Sequence, residues 1–312
     1  MEDCGLNRNN MKPALTLDKQ VELLKSRGMT IPDADTKLVK NALRITNYYR
    51  LSAYYIDLYD RKNEIFDKPV TFDKVYDIYC FDEKLRHLLF SVIEPIELRL
   101  RAEIAYNLAI KYGNVAHLCF SAVQEKKLHL KFLEIYYSNL SSLLYRPYVK
   151  HNIKKYGELP IWAAVETMSF GTLCRYYNNL ENDIKKIIAA SFNSDIDKLG
   201  GWFKALNEIR NICAHSDRIY NAKLNTDVKL YTEDRDGLSG DENRTLFLII
   251  IILKKIYAGD GSKWIPFYDE LKELVKEYSS VINLKCLGFP EYWQNKIDNI
   301  AVYDNNHSGS SH

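Results

Sequence analysis

Arg210-Asn211-Ile212-Cys213-Ala214-His215 gathers a guanidinium, a carboxamide and an imidazole into six consecutive residues. Cutting RNA with its own 2′-hydroxyl as nucleophile needs a group that takes up the hydroxyl proton and a cation that steadies the phosphorane. It needs no metal. An imidazole titrates near neutrality and suits the proton transfer, as expected of His215. Arg210 offers a planar fork of donors for phosphate oxygens, and Asn211 can orient either partner. The spacing alone is weak, because Arg146-Pro147-Tyr148-Val149-Lys150-His151 repeats it. In that second copy Pro147 directly follows the arginine, which argues against a continuous helix, and no amide is present. Arg210, Asn211 and His215 are therefore the candidate catalytic residues.

The element that must position them runs from Asp195 to Ala214, with Leu199, Trp202, Phe203, Leu206, Ile209 and Cys213 spaced for one buried helical face. Gly200-Gly201 weakens its start. At 3.6 residues per turn Arg210 projects within about 20° of Leu199, from the apolar face, where a guanidinium is costly without a partner or a function. Glu208, Asn211 and His215 fall on the polar side, with His215 roughly 140° from Arg210. The two side chains meet only if the helix ends near Ala214 or the arginine's arm bends round. A capping histidine with a buried ion pair is the structural alternative.

Composition sets the class. The 312 residues are 46% hydrophobic and 27% charged, with 13 Gly and 8 Pro, a helix-rich globular balance that excludes wholesale disorder. Cys4, Cys80, Cys119, Cys174, Cys213 and Cys286 include no CxxC pair, which suits reduced thiols and implies neither a disulfide frame nor a zinc site. No cofactor is expected. The polar stretch Met1 to Asn10 lacks a signal peptide's features, and the longest apolar run, Leu246 to Leu253, is too short for a membrane span and reads as a core helix. A cytoplasmic location without membrane is expected, and Ser308 to His312 resembles an expression remnant.

Net charge is only +2, so a nucleic-acid surface must be local. Lys126, Lys127, Lys131, Lys150, Lys154 and Lys155, with Arg146, outnumber Glu125 and Glu134 and interleave with Tyr136, Tyr137, Tyr145, Tyr148 and Tyr156. Cations for phosphates and flat rings for unpaired bases suit single-stranded RNA; a solvated helix face with half-buried tyrosines is the plainer reading. Tyr48, Tyr49 and Arg50 are weaker RNA candidates. Glu94, Glu97 and Glu103 share a long helix with Arg99 and Arg101 and read as a salt-bridged surface rather than acid-base carboxylates. His87, His117 and His129 have no ligand spacing and read as surface or capping histidines.

The remaining pattern is helical. Thr16 to Ser26 is stopped by Gly28, Ile31-Pro32-Asp33 starts a second helix, and Asp60 to Pro69 is a polar boundary. Thr71 to about Tyr112 is one amphipathic helix, kinked at Pro95. Helix follows from Glu125 to Ile153, then from Pro160, until Ser169-Phe170-Gly171-Thr172 breaks it with Thr172 available as a cap. Strands are conceivable only in the loops Glu64 to Phe72 and Lys223 to Thr232. The fold class is all-α.

Four ordered blocks carry a family resemblance: Lys12-Pro13-Ala14-Leu15-Thr16; Asn47-Tyr48-Tyr49-Arg50-Leu51-Ser52-Ala53-Tyr54; Pro160-Ile161-Trp162 with Glu166 to Leu173; and Arg210 to His215 followed by Arg218, Tyr220 and Asn221. Together they resemble the Abi_2 family of bacterial abortive-infection proteins, the AbiD/AbiF group, whose members carry a HEPN ribonuclease domain. The resemblance implies a HEPN-type helical bundle with an N-terminal helical extension; joined to the helical pattern, which alone carries the assignment beyond Asn221, it gives residues 1–70 as the extension, 71–278 as the domain bearing the motif, 279–307 as a C-terminal segment and 308–312 as the remnant. It implies a metal-independent endoribonuclease toxin of an antiphage toxin-antitoxin system, with Arg210 and His215 catalytic and Asn211 orienting. With one credible motif per chain, it also implies a homodimer that forms a composite cleft, and control by a partner such as a small non-coding RNA. A HEPN scaffold that holds RNA or protein without cutting is the alternative.

Overall fold

Apolar residues recurring every three or four positions build helix throughout, and the computed structural model is all-α, with thirteen α-helices among the described residues. The structure describes residues 13–55, 58–60, 62–66, 68–235, 238 and 243–301. The expectations for Met1 to Asn10 and for Ser308 to His312 lie outside them. Among the described residues no helix is long and apolar enough to cross a membrane. The chain divides into two units, Met1–Asp82 with Tyr278–Ile282 and Glu83–Glu277 with Asn283–His312.

In the first unit, α1 (Leu17–Ser26) is capped by Thr16, whose hydroxyl accepts from the Lys19 amide, and buries Val21 and Leu24. The second helix starts later than Pro32: a 3₁₀ turn, Asp33–Asp35, intervenes before α2 (Thr36–Thr46). Asn47, at φ 67°, ends α2, and its side chain accepts from the Tyr49 amide to start α3 (Tyr48–Ser52). Two minimal sheets follow, β1 (Met29–Thr30) parallel to β4 (Val70–Thr71) and β2 (Tyr59–Asp60) antiparallel to β3 (Ile65–Phe66). The loop from Glu64 to Phe72 thus does contain strands, whereas 223–232 alternates in burial but forms no strand.

The larger unit contains most of α4 (Phe72–Tyr112), which runs unbroken through Pro95. The helix expected from Glu125 to Ile153 is two helices, α5 (Lys126–Ser142) and α6 (Pro147–Tyr156). Pro147 takes the first position of α6, leaving Arg146 extended before it. After α7 (Ile161–Ala164), α8 (Phe170–Asn179) is capped by Ser169 and not by Thr172: the Ser169 hydroxyl accepts from the Thr172 amide at 3.2 Å, which places Thr172 inside the helix. Helices α9 (Asn182–Ser191) and α10 (Ile196–Ala214) close on α8 around Phe203, whose ring meets Tyr177 and Phe192 edge-on at 5.3 and 5.0 Å. The apolar run becomes α11 (Leu246–Ile256), buried along its length except for Lys254, followed by α12 (Gly261–Glu277) and α13 (Trp293–Asp298). Each fully buried Leu or Ile there contributes about 1.5–3 kcal/mol, which fixes this helix as core.

Candidate functional site

Both ends of α10 are specified locally. At its start the Asp195 carboxylate accepts from the Asp197 and Lys198 amides at 2.9 and 3.0 Å, where the helix dipole also favours an anion. Gly200 is there for closeness: a Cβ on it would lie 1.9 Å from Asn178 Oδ1 of α8. Leu199, Trp202, Phe203, Leu206 and Ile209 are buried, as their spacing predicts, whereas Cys213, expected on the same face, is only half-buried near the helix end. At the other end the Ser216 amide donates to the Cys213 carbonyl at 3.1 Å and the Asp217 amide to Ile212 at 2.9 Å. This pair of bonds is a Schellman stop, with Ser216 at φ 56° in the left-handed position that glycine usually fills. The chain therefore turns away directly after His215, the C-cap, and leaves its side chain exposed at the helix end.

Arg210 gains the partner its position demands. Its Nε lies 3.2 Å from Glu97 Oε2 of α4, off the line of a directed hydrogen bond, so the contact is an ion pair. The other Glu97 oxygen, Oε1, lies 2.7 Å from Arg101 Nη2, one helical turn on. Arg101 in turn donates to the Val165 carbonyl at 3.2 Å and the Met168 carbonyl at 2.7 Å. The Glu97 side chain is only 8% exposed, while Arg210 keeps 29%. Glu97 is thus a buried bridge between two arginines, not part of the salt-bridged surface expected of this helix. The arrangement anchors one edge of the Arg210 guanidinium and leaves part of it open, with Nη1 donating to Asn211 Oδ1 at 3.2 Å.

The structure brings Arg210 and Asn211 into contact. It does not join either to the His215 ring, which among the described residues makes no hydrogen bond or ion pair. Glu208, on the polar side, is structural: its carboxylate accepts from the Asn225 and Thr226 amides at 2.6 and 3.0 Å and ties down the loop beyond the motif. In the second Arg-x4-His copy Pro147 to His151 lie within α6, and Arg146 stands extended just before it.

Lys126, Lys127, Lys131, Lys150, Lys154 and Lys155 are all exposed on α5 and α6. The tyrosines among them divide. Tyr136 is buried, and with Tyr137 it donates to Glu158 at 2.8 and 2.7 Å, whereas Tyr145 and Tyr156 are exposed. In the smaller unit, Tyr48 accepts from Arg27 Nη1 at 2.8 Å and Tyr55 at 3.2 Å and belongs to a packed cluster, Arg50 is half-buried, and Tyr49 stands out to solvent. His87 is exposed, but His117 and His129 are fully buried, contrary to a surface or capping role, and none of their ring nitrogens has a hydrogen-bond partner. Burial pushes the His117 imidazole down to about 4, and it lowers His129 as well.

Glu97 is the site residue that sequence reasoning misread; an arginine on an apolar stripe signalled that some carboxylate had to exist without indicating which. The block around Ser169 also converges here. A Cβ on Gly171 would meet the Asn207 side chain at 3.4 Å, one turn before Asn211, so α8 lies close against the motif helix. No curated protein and no solved structure matches the chain. The family of Abi-like proteins, Abi_2, matches residues 41–221, from α2 to the loop just beyond His215. The match spans more than half of the sequence and includes Glu97, Arg101 and the whole Arg210 to His215 segment, so the chain belongs to the Abi-like family.

Proposed function

We propose that this protein is a metal-independent HEPN-type endoribonuclease, the toxin component of an abortive-infection or toxin-antitoxin system. The family links the chain to abortive infection, a form of phage defence. The observation that carries the finer reading is the helix end itself. A partly open guanidinium is anchored by a buried carboxylate, and an exposed imidazole sits on the cap five residues later. In the proposed reaction His215 moves the proton of the attacking 2′-hydroxyl, Arg210 stabilises the phosphorane charge, and Asn211 orients Arg210. The products are a cyclic phosphate and a 5′-hydroxyl. The substrate bridges Arg210 and His215, since the protein alone does not bring them together.

The active form is a homodimer, each chain contributing one Arg-His pair to a composite cleft, and a small non-coding RNA is the proposed regulator. The dimer is supported by an exposed apolar stripe on the helix that carries Glu97. Leu98, Ala102, Tyr106 and Ile110 succeed one another at four-residue intervals along α4, and the three large ones are 55%, 68% and 75% exposed. The scaffold reading draws on a different observation, that the Nε edge of Arg210 is already engaged by Glu97. Cleavage in excess EDTA separates the two. The nuclease reading expects wild type to cut while Arg210→Lys and His215→Ala fall by at least about two orders of magnitude with RNA binding retained; equal inertness of all three on every RNA favours the scaffold.

A further inference from the structure

Beside the motif helix, between α5 and α8, lies a cleft of about 280 Å³. Its floor is the stacked pair Phe132 and Tyr176, ring centroids 4.2 Å apart, and its walls include Leu128 and Ile135, both exposed at the mouth. Lys131, Arg175 and Asn178 line it at solvent-exposed positions, and Thr172 and Asn179 at buried ones. No carboxylate lines the cleft, and neither Lys131 nor Arg175 has an ion-pair partner among the described residues. Arg175 makes only a long contact, 3.5 Å, to the Thr172 hydroxyl, and the Asn178 side chain makes no hydrogen bond among the described residues. A flat apolar floor, two unneutralised cations and a free amide are the groups that take up a base, its phosphate and its edge.

We infer that this cleft receives one unpaired nucleotide of single-stranded RNA, with the base over Phe132, the phosphate between Lys131 and Arg175, and Asn178 at the base edge. The volume lies just below the roughly 300–1,000 Å³ of drug-sized sites, which limits the occupant to about one nucleotide. Lys131 also belongs to the lysine-bearing face of α5, so the cleft gives that sequence-independent surface a point at which a base can be read. Its place in the fold ties it to the motif. Arg175 and Thr172 line it from α8, and the neighbouring Gly171 lies against Asn207 of α10. Occupancy of the cleft would therefore fix the register of RNA relative to Arg210 and His215. That last consequence rests on the ribonuclease reading; nucleotide binding in the cleft does not.

The test is fluorescence anisotropy of a labelled single-stranded RNA with the full chain carrying His215→Ala, so that nothing is cut. Leu128→Trp, which fills the mouth from an exposed position, is expected to weaken binding about tenfold, the scale of one base contact. Arg175→Gln and Lys131→Gln are each expected to lower the salt slope by about 0.7, one phosphate's worth. If the Trp variant loses stability, a photo-crosslink from 4-thiouridine RNA to the unsubstituted cleft replaces it, expected on α5 between Leu128 and Ile135 or on α8. Unchanged affinity in a folded Leu128→Trp, crosslinks confined elsewhere, absence of RNA binding, or equal binding of polyglutamate would each overturn the inference. A protein that binds through the cleft yet never cuts defeats the nuclease reading alone; one that cuts and is indifferent to Leu128→Trp defeats the cleft alone.

Discussion

Replacing Glu97 by Gln keeps the side chain's shape and removes its charge, leaving two guanidinium groups facing a neutral amide. Removing one partner of a buried ion pair costs about 3–5 kcal/mol, because the remaining charge stays desolvated. Two features place the expected loss near the lower end. Arg101 retains the Val165 and Met168 carbonyls, and Arg210, at 29% exposure, can recover part of its hydration. The expected destabilisation is about 3 kcal/mol, read as a lowered denaturant midpoint at unchanged slope. A double-mutant cycle of Glu97→Gln with Arg210→Gln isolates the bridge to α10 and should give a coupling of at least about 1 kcal/mol. Cleavage by Glu97→Gln should fall at saturating RNA, since Arg210 loses its anchor. An unfolding free energy within about 0.5 kcal/mol of wild type, the range of ordinary surface substitutions, would refute the buried bridge.

Other consequences can be checked separately. His117 titrates near 4 when folded and near 6.5 when unfolded, so between those values the unfolded chain holds the extra proton. Stability is therefore complete above about pH 6.5 and falls by up to about 3 kcal/mol as the pH drops to 4. His117→Phe should flatten that part of the profile, and an identical slope in wild type and variant would contradict the burial. Ser216→Val puts a β-branched residue in the left-handed stop after His215; it should cost about 1–2 kcal/mol by thermal melting, whereas Ser216→Gly should be tolerated. An equally stable Val variant would argue against the Schellman turn. Tyr106→Glu should leave the fold intact and convert a dimer to a monomer by light scattering; a dimer unaffected by it would move the interface away from α4.

The parts of the structure that depend on local pattern were legible in the sequence. The buried face of α10 and the core character of α11 follow from residue spacing and type. Its end was less visible, because the stop uses Ser216 where a glycine would have announced it. The same limit applies at α8, where Ser169 and Thr172 are both competent caps and only the backbone path chooses between them. Partners distant in sequence were not legible. Glu94, Glu97 and Glu103 look alike on α4, and only tertiary packing selects Glu97 for Arg210. The burial of His117 and His129 was likewise missed: His129 stands at helical spacing from the buried Phe132, Tyr136 and Leu140, but an imidazole taken as polar hides that signal.

The most direct test of the central claim is cleavage of an RNA in which the 2′-hydroxyl at the mapped cut site alone is replaced by hydrogen, assayed in excess EDTA. Wild type is expected to cut the unmodified RNA, leaving a cyclic phosphate, and to leave the substituted linkage intact while still binding it. Cutting at the deoxy linkage, or cutting that EDTA abolishes, would contradict the roles assigned to Arg210 and His215.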